Sequence, residues 1–330
     1  MSLLGIDLGG TKVAFAIFSK EGELLQKDTY LLGKRRGNAV GNLMTETTAA
    51  LIDSQKSAGD PVESIGVSVP GISHSKTGTV WAPNIKGWED YPLLEELLKV
   101  ASFIPVKIDS DRACSILGEL WQGNARGCLD AIFLTVGTGI GAGILANGEI
   151  LRGNMDIAGA IGWMGFSRPY QEKYSACGCF EYYASGAGIA RNAEIYRGLD
   201  KDYRGELSAI ETGSMSAQDV FAAYDNGDKV AIKTVSQCIG YWGMAAANLV
   251  SLFNPEKIIF GGGIFGPATR FLPEIKSEAE KWGQPVSMKH VSFETSALLG
   301  DAAVFGAGCL ALRNAKDKRY PPGRVSLAGK

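Results

Sequence analysis

The sequence predicts an α/β protein of two domains, and three observations carry that prediction. A chain of 330 residues, 45% hydrophobic and 21% charged, holds more apolar side chain than one core usually encloses. Apolar runs of strand length are interleaved with segments of helical spacing. A unit of strand, glycine turn and strand occurs twice, at residues 3–25 and again at 131–151.

The first unit breaks its apolar run at Asp7-Leu8-Gly9-Gly10-Thr11-Lys12 and returns to a second turn at Glu21-Gly22. Adjacent glycines remove the side chains that hold a backbone away from a ligand. Successive N–H groups can then surround a phosphate, and Asp7 offers a hard oxygen to a hydrated Mg²⁺. The same residues also suit a plain hairpin in which Gly-Gly only makes the turn. Residues 37–59 carry apolar positions at helical spacing, and 65–71 read as a buried strand ending at a turn. Residues 81–88 are loop-like, 92–100 a short helix, and 106–111 a strand leading into a helix at 113–122. Asp111 therefore falls at a strand-to-helix corner, where a carboxylate is either a helix N-cap or a reactive group.

The second unit, Gly137-Thr-Gly-Ile-Gly141 between apolar runs, repeats the opening logic. Two copies of one phosphate-cradling hairpin predict two halves facing each other across a cleft and holding opposite ends of a polyphosphate. The glycines lack the spacing of a dinucleotide fingerprint ahead of a helix, which argues against a nicotinamide site. Residues 152–207 read as loop-rich with a helix at 184–196, followed by helices at 216–224 and 228–253. The last of these stops at Asn254-Pro255 and gives way to a strand at 257–260 and a third glycine turn, Gly261-Gly262-Gly263. That turn is either bare or the backing of an adenine. Residues 298–312 form a helix rich in small residues that is expected to return to the first domain, with a polar tail from Asn314.

A net charge of −2, with short basic runs only at 34–36 and 316–319, provides no field for nucleic acid. No apolar window is long enough to span a membrane, and the N-terminus lacks a basic stretch followed by a long apolar one, so a cytoplasmic protein is expected. Six cysteines are too sparse for a disulfide scaffold and fit a reducing compartment.

Taken together these motifs resemble the ROK family of sugar kinases, within the actin/hexokinase/heat-shock ATPase superfold. The matching stretches are Asp7-Leu-Gly-Gly-Thr-Lys12, Val69-Pro-Gly71, Ala82-Pro-Asn84 with Gly87-Trp88, Asp111 with Gly118-Glu119, Gly137-Thr-Gly-Ile-Gly141, Ala158-Gly159, Gly178-Cys-Phe-Glu181 with Ala184-Ser-Gly186, Asn254-Pro255 and Gly261–Gly263. The resemblance implies two ribonuclease-H-like α/β domains. The first would be 1–112 with 299–318, bearing the Mg²⁺/phosphate turn and the base; the second would be 113–298, bearing the other phosphate turn, the adenine site and a dimer face. It implies ATP-dependent phosphorylation of a sugar or sugar-like polyol with Asp111 as general base, in a homodimer without nucleic-acid or membrane partners. Asp7, Gly9, Gly10, Thr11 and Lys12 would hold the β/γ-phosphates and, through water, Mg²⁺. Gly137, Thr138 and Gly139 would meet the transferring phosphoryl group, and Gly262 and Gly263 the adenine. Gly71, Asn84, Ser110, Asp111, Trp163 and Glu181 match substrate positions, with loop capping as the other role open to Asn84 and Glu181.

The departures from the family pattern are specific. Ser110-Asp111 stands for Asn-Asp, and Ala158-Gly-Ala-Ile-Gly-Trp163 for Ala-Gly-Glu-x-Gly-His, so the sugar-binding Glu and the His are missing. Of the family zinc motif only Gly178-Cys179 remains, which predicts no structural zinc and a loop held instead by packing of Trp163 and Tyr174. The altered pocket predicts weak use of glucose and N-acetylmannosamine and preference for a ketose, a deoxy or modified sugar, or a cyclitol. Two other readings are a kinase that still uses ordinary glucose and a homologue that binds nucleotide and sugar with impaired catalysis. A repressor role is not expected, because the phosphate turn begins at residue 7.

Overall fold

The alternation of apolar and exposed positions in the first forty residues folds as a meander. In it β1 (Ser2–Leu8), β2 (Lys12–Phe18) and β3 (Leu24–Leu31) run antiparallel, and only the first two bury both faces. The computed structural model describes residues 1–316; the end of the basic run 316–319 and positions 317–318 of the expected first domain lie outside the described residues. Helix α1 (Asn38–Ser57) follows, then β4 (Val62–Val69), the short hairpin β5 (Ile72–Ser73) and β6 (Val80–Trp81), α2 (Leu93–Ala101), β7 (Val106–Ser110) and α3 (Asp111–Gln122). The sheet order is β3-β2-β1-β4-β7, with β4 parallel to β1 and β7 parallel to β4.

This first unit comprises Met1–Arg126, Arg152–Ala158 and, among the described residues, 301–316. Its last helix, α10 (Ala302–Lys316), lies against α3 and β4 with almost no side chain between backbones. A Cβ on Gly306 would stand 1.7 Å from the Cys114 carbonyl oxygen, and one on Gly66 would stand 2.0 Å from that of Ala307. The small-residue pattern at 298–312 is thus a backbone contact surface, as close packing of helix on sheet requires.

The second unit, Gly127–Leu151 with Gly159–Gly300, repeats the plan. Strands β8 (Ala131–Val136), β9 (Ile140–Ala146) and β10 (Glu149–Ile150) form the meander. Then come α4 (Cys179–Ala184), α5 (Gly186–Leu199), α6 (Ala217–Asp225), α7 (Lys229–Phe253), β11 (Lys257–Gly261), α8 (Leu272–Trp282), α9 (Pro285–His290) and β12 (Ser292–Thr295). The order β10-β9-β8-β11-β12 has the same antiparallel and parallel senses as the first sheet. The duplication read from the two hairpins therefore extends to whole sheets. Trp242 of α7 is fully buried, and its indole N–H donates to the Ala184 carbonyl at 3.0 Å, tying α7 to the end of α4.

The domain boundaries differ from those expected. Helix α3 stays with the first unit because it packs along α10, so the break falls after Arg126 rather than at 112–113. The segment Arg152–Ala158 also belongs to the first unit. The Arg152 guanidinium donates through Nε (2.9 Å) and Nη2 (2.6 Å) to the buried Asp109, and Asp156 accepts from Ser75 N (2.9 Å) and Oγ (3.0 Å). The helix expected at 184–196 is α5, which starts at Gly186; the short α4 precedes it, and Ser185 between them is extended and caps α5 by accepting from Gly188 N at 3.1 Å.

Candidate functional site

In the first unit the Gly9-Gly10 turn is closed by Gly9 N donating to the Lys12 carbonyl at 2.8 Å. Neither glycine has φ in the left-handed range, so the backbone does not require glycine here. What the pair provides is a bare, exposed backbone face with Thr11 and Lys12 beside it. A Cβ on Gly10 would touch Asn84, itself exposed, which places Asn84 against this turn.

Asp7, at the end of β1, accepts from Ser68 Oγ of β4 at 2.7 Å. Burial and the nearby Asp111 carboxylate push its pKa up to about 6, against the pull of the Ser68 bond and Lys12. Asp111 is raised as well, mainly by burial, with Arg112 opposing the shift. Two neighbouring half-buried carboxylates, both disfavoured as anions, make a hard oxygen environment that suits a hydrated divalent cation.

Asp111 is not the N-cap of α3. Ser110 takes that position, with Oγ accepting from Ala113 N at 3.3 Å, and Asp111 opens the helix. Its Oδ1 accepts the neighbouring Arg112 N at 2.8 Å. The capping role is filled by another residue, and the Asp111 carboxylate sits in the electropositive first turn. Ser110 is buried, and its Oγ spends one of its two lone pairs on the cap bond. Arg112, which motif reading passed over, donates from Nη2 to the Gly71 carbonyl at 3.2 Å. Its Nε is buried without a partner. Gly71 itself has φ +89°, and a Cβ there would stand 2.2 Å from the Trp81 carbonyl oxygen, so only glycine fits.

In the second unit Gly137, Thr138 and Gly263 line one cavity of about 390 Å³ together with Gly186 and Ala187 of α5 and residues 215–218. A Cβ on Gly137 or Gly263 would meet no atom within 4 Å, and neither has a left-handed φ. A side chain at either position would project into free space, so these glycines are not required by fold or turn. Gly262 differs: its φ is +84° and a Cβ would strike the Val136 carbonyl oxygen at 2.4 Å. Gly186 N donates to the Gly137 carbonyl at 2.8 Å, which brings the start of α5 to the turn. The capping serine of Ser185-Gly186 is a sequence signal for this helix start, which lies two residues after the expected one at 184.

Residues 3–314 match the ROK family along nearly the whole chain. The chain belongs to the ROK family. It is 35% identical to a glucokinase of Halalkalibacterium halodurans over 317 residues, 93% of this chain and 94% of the relative. Its fold matches a ROK hexokinase from Thermus thermophilus (TM-score 0.78, 28% identity, 96% of this chain and 100% of that one). It also matches a ROK glucokinase from Streptomyces griseus solved with glucose and AMPPNP (TM-score 0.74, 26% identity, 95% and 100%). The α/β class and the actin-like ATPase fold expected from the sequence are those of these ROK structures.

Within this ROK chain two predicted roles change. Trp163 does not fill the volume left by the missing zinc ligands: it is 59% exposed, at the end of a single 3₁₀ turn, Ile161–Trp163. Tyr174 is the residue that packs there, buried against Tyr182 and Tyr183, with a 2.8 Å hydroxyl bond to Tyr183. Glu181 accepts from Ile140 N at 2.7 Å, and its carboxylate occupies the space beside Gly139. The loop-capping alternative is therefore the role its geometry displays. The family zinc does not fit the residues present: Cys179 is buried, and among the described residues no group of three His, Cys, Asp or Glu side chains converges. No helix among those residues is long and apolar enough to cross a membrane.

Proposed function

We propose that this chain transfers the γ-phosphoryl group of ATP to a hydroxyl of a sugar or polyol, with Asp111 as general base. It is a carbohydrate kinase, and the observation that carries the assignment of the base is the freeing of Asp111 from the cap by Ser110. Bound Mg²⁺-ATP supplies the phosphoryl group and the charge neutralisation that dominate such reactions. Asp7 would orient Mg²⁺ through water, with Ser68 fixing its carboxylate. The Gly9–Lys12 turn and the Gly137–Gly139 turn would donate backbone N–H groups to phosphate oxygens, Thr138 adding its hydroxyl. Gly263 and the start of α5 would line the nucleoside cavity. Asp111 takes the proton of the acceptor hydroxyl as that oxygen bonds to phosphorus. Gly71, Asn84 and the Ser110 hydroxyl would meet the acceptor's other hydroxyls. Glu181 acts first by shaping the phosphate turn.

Where the family has Glu and His, Ala160 and the exposed Trp163 offer a methyl group and an indole face. Such a surface favours the C–H face of a ring over a network of hydroxyl partners. A coupled ADP-release assay over hexoses, amino sugars, ketoses and cyclitols tests the reading. Turnover on at least one of them, abolished in Asp111→Asn, is expected; a chain inactive on the whole panel would favour a homologue that binds without catalysis.

A further inference from the structure

A second cavity, of about 280 Å³, opens in the first unit and has no part in the chemistry above. Its walls are the turn of the β5–β6 hairpin, with His74, Lys76 and Thr79, the loop residue Asp90, and the strap residues Asn154 and Asp156. We propose that this cavity is a subsite for a second sugar ring, so that the preferred acceptor is a disaccharide or other glycoside. This rests on the kinase reading.

Three observations support it. The first is position: β5 begins one residue after Gly71, whose carbonyl is held by Arg112, and β5 packs on β7, which ends beside Asp111. The strap is anchored by Arg152 on Asp109, two residues before Asp111. Both walls thus start from the corner that carries the base. The second is preorganisation. The hairpin turn is closed by His74 N to the Thr79 carbonyl at 2.9 Å and Gly78 N to the His74 carbonyl at 2.8 Å, and the Thr77 and Thr79 hydroxyls are bonded at 2.8 Å. Asp156 is held at φ +58° by its two bonds from Ser75. A cavity whose walls are fixed before binding loses little entropy on binding.

The third is chemistry. Sugar hydroxyls both donate and accept, and the lining mixes carboxylates, an amide, hydroxyls and an ammonium. The His74 ring and the Met155 side chain supply less polar faces for ring C–H groups. One lysine stands against two aspartates, so a phosphate or carboxylate would meet more negative than positive charge. A neutral polyhydroxyl group fits this balance.

The test compares cellobiose, maltose, sucrose and lactose with their component monosaccharides, in the intact chain and in Asp90→Ala and Lys76→Met. At least one disaccharide should be phosphorylated with higher kcat/KM than its monosaccharides. Each variant should lower that value about tenfold, as loss of one good polar contact does, while changing monosaccharide turnover by less than about twofold. Equal losses on both classes, or none on the disaccharide, would overturn the subsite and leave the kinase assignment standing. A chain inactive on every sugar would instead remove the kinase reading. Calorimetric titration of the same disaccharides then decides the subsite alone: binding weakened in both variants supports it, and no binding, or binding unchanged in the variants, overturns it.

Discussion

The two glycine turns sit at the same place in two sheets of identical order, yet they are finished differently. The first is flanked by Asp7 and Lys12 and stands exposed, with Asn84 against it. The second carries no acid in its own strand; a glutamate 41 residues away, Glu181, binds Ile140 N, and a helix start adjoins Gly137. One architecture is finished with an acid in its own strand in the first copy and with a helix start and a distant carboxylate in the second, and the proposed cation and nucleotide roles rest on that difference. The hairpin fixes where the backbone donors point, and the residues around it decide the ligand.

Substitutions can break that comparison. The largest effect is expected from Asp111→Asn, which should cost about 10²–10⁴ in kcat while leaving nucleotide affinity within about twofold. Steady-state kinetics with a nucleotide titration check both halves, and a mutant with most of its activity would sink the role of base. Next, Gly263→Val should raise the KM for ATP by about tenfold or more with an unchanged unfolding midpoint, because its side chain enters free cavity rather than packed core. The same change at Gly262 should instead destabilise, its φ of +84° and the Val136 carbonyl excluding a side chain.

Arg112→Met sharpens the acidic side. Burial raises the Asp111 pKa and Arg112 opposes it, so removing the guanidinium should move the acid limb of kcat/KM to higher pH. A limb that stays in place, or moves to lower pH, would refute the coupling. The smallest effect concerns stability. The folded chain keeps a proton on Asp7 up to about pH 6, where the ordinary carboxylate releases it near 3.8, so stability falls as pH rises through that window. Asp7→Asn removes that loss. In chelator its unfolding midpoint should exceed the wild type's at pH 8, by roughly 2–4 °C per kcal/mol relieved, and the gain should vanish below about pH 4. An equal gain at both pH values would show that charge is not its source.

Much of this was legible because it is local. Gly-Gly between apolar runs, Asn254-Pro255 at a helix end, and Asp111 at a strand-to-helix corner are short-range signals. Ser110 and Asp111 are both good caps, and only backbone geometry decides between them. Glu181 reaching Ile140, and Arg152 reaching Asp109, join residues about forty apart, which no window of sequence reveals. β12 was missed because it is four residues long and half-buried, so it shows neither an apolar run nor clean alternation. α8 buries only Ile275 and Ala279 and α9 is only six residues long, which left 272–290 with too few apolar residues to show a period. Trp163 shows a different failure: residue type suggests burial, but a large aromatic on a lone 3₁₀ turn has too few neighbours to cover it.

The close seating of α10 on α3 and β4 has a consequence in time. The second unit is an insert within the first, so during synthesis the 127–300 stretch emerges whole while the first sheet still lacks its covering helix. Until α10 leaves the ribosome, Gly5, Gly66 and Gly118 present bare backbone to water or to a chaperone. Along the chain the first sheet is made before the helix that covers it, and Gly306 can close on the Cys114 carbonyl only after the second unit has been made.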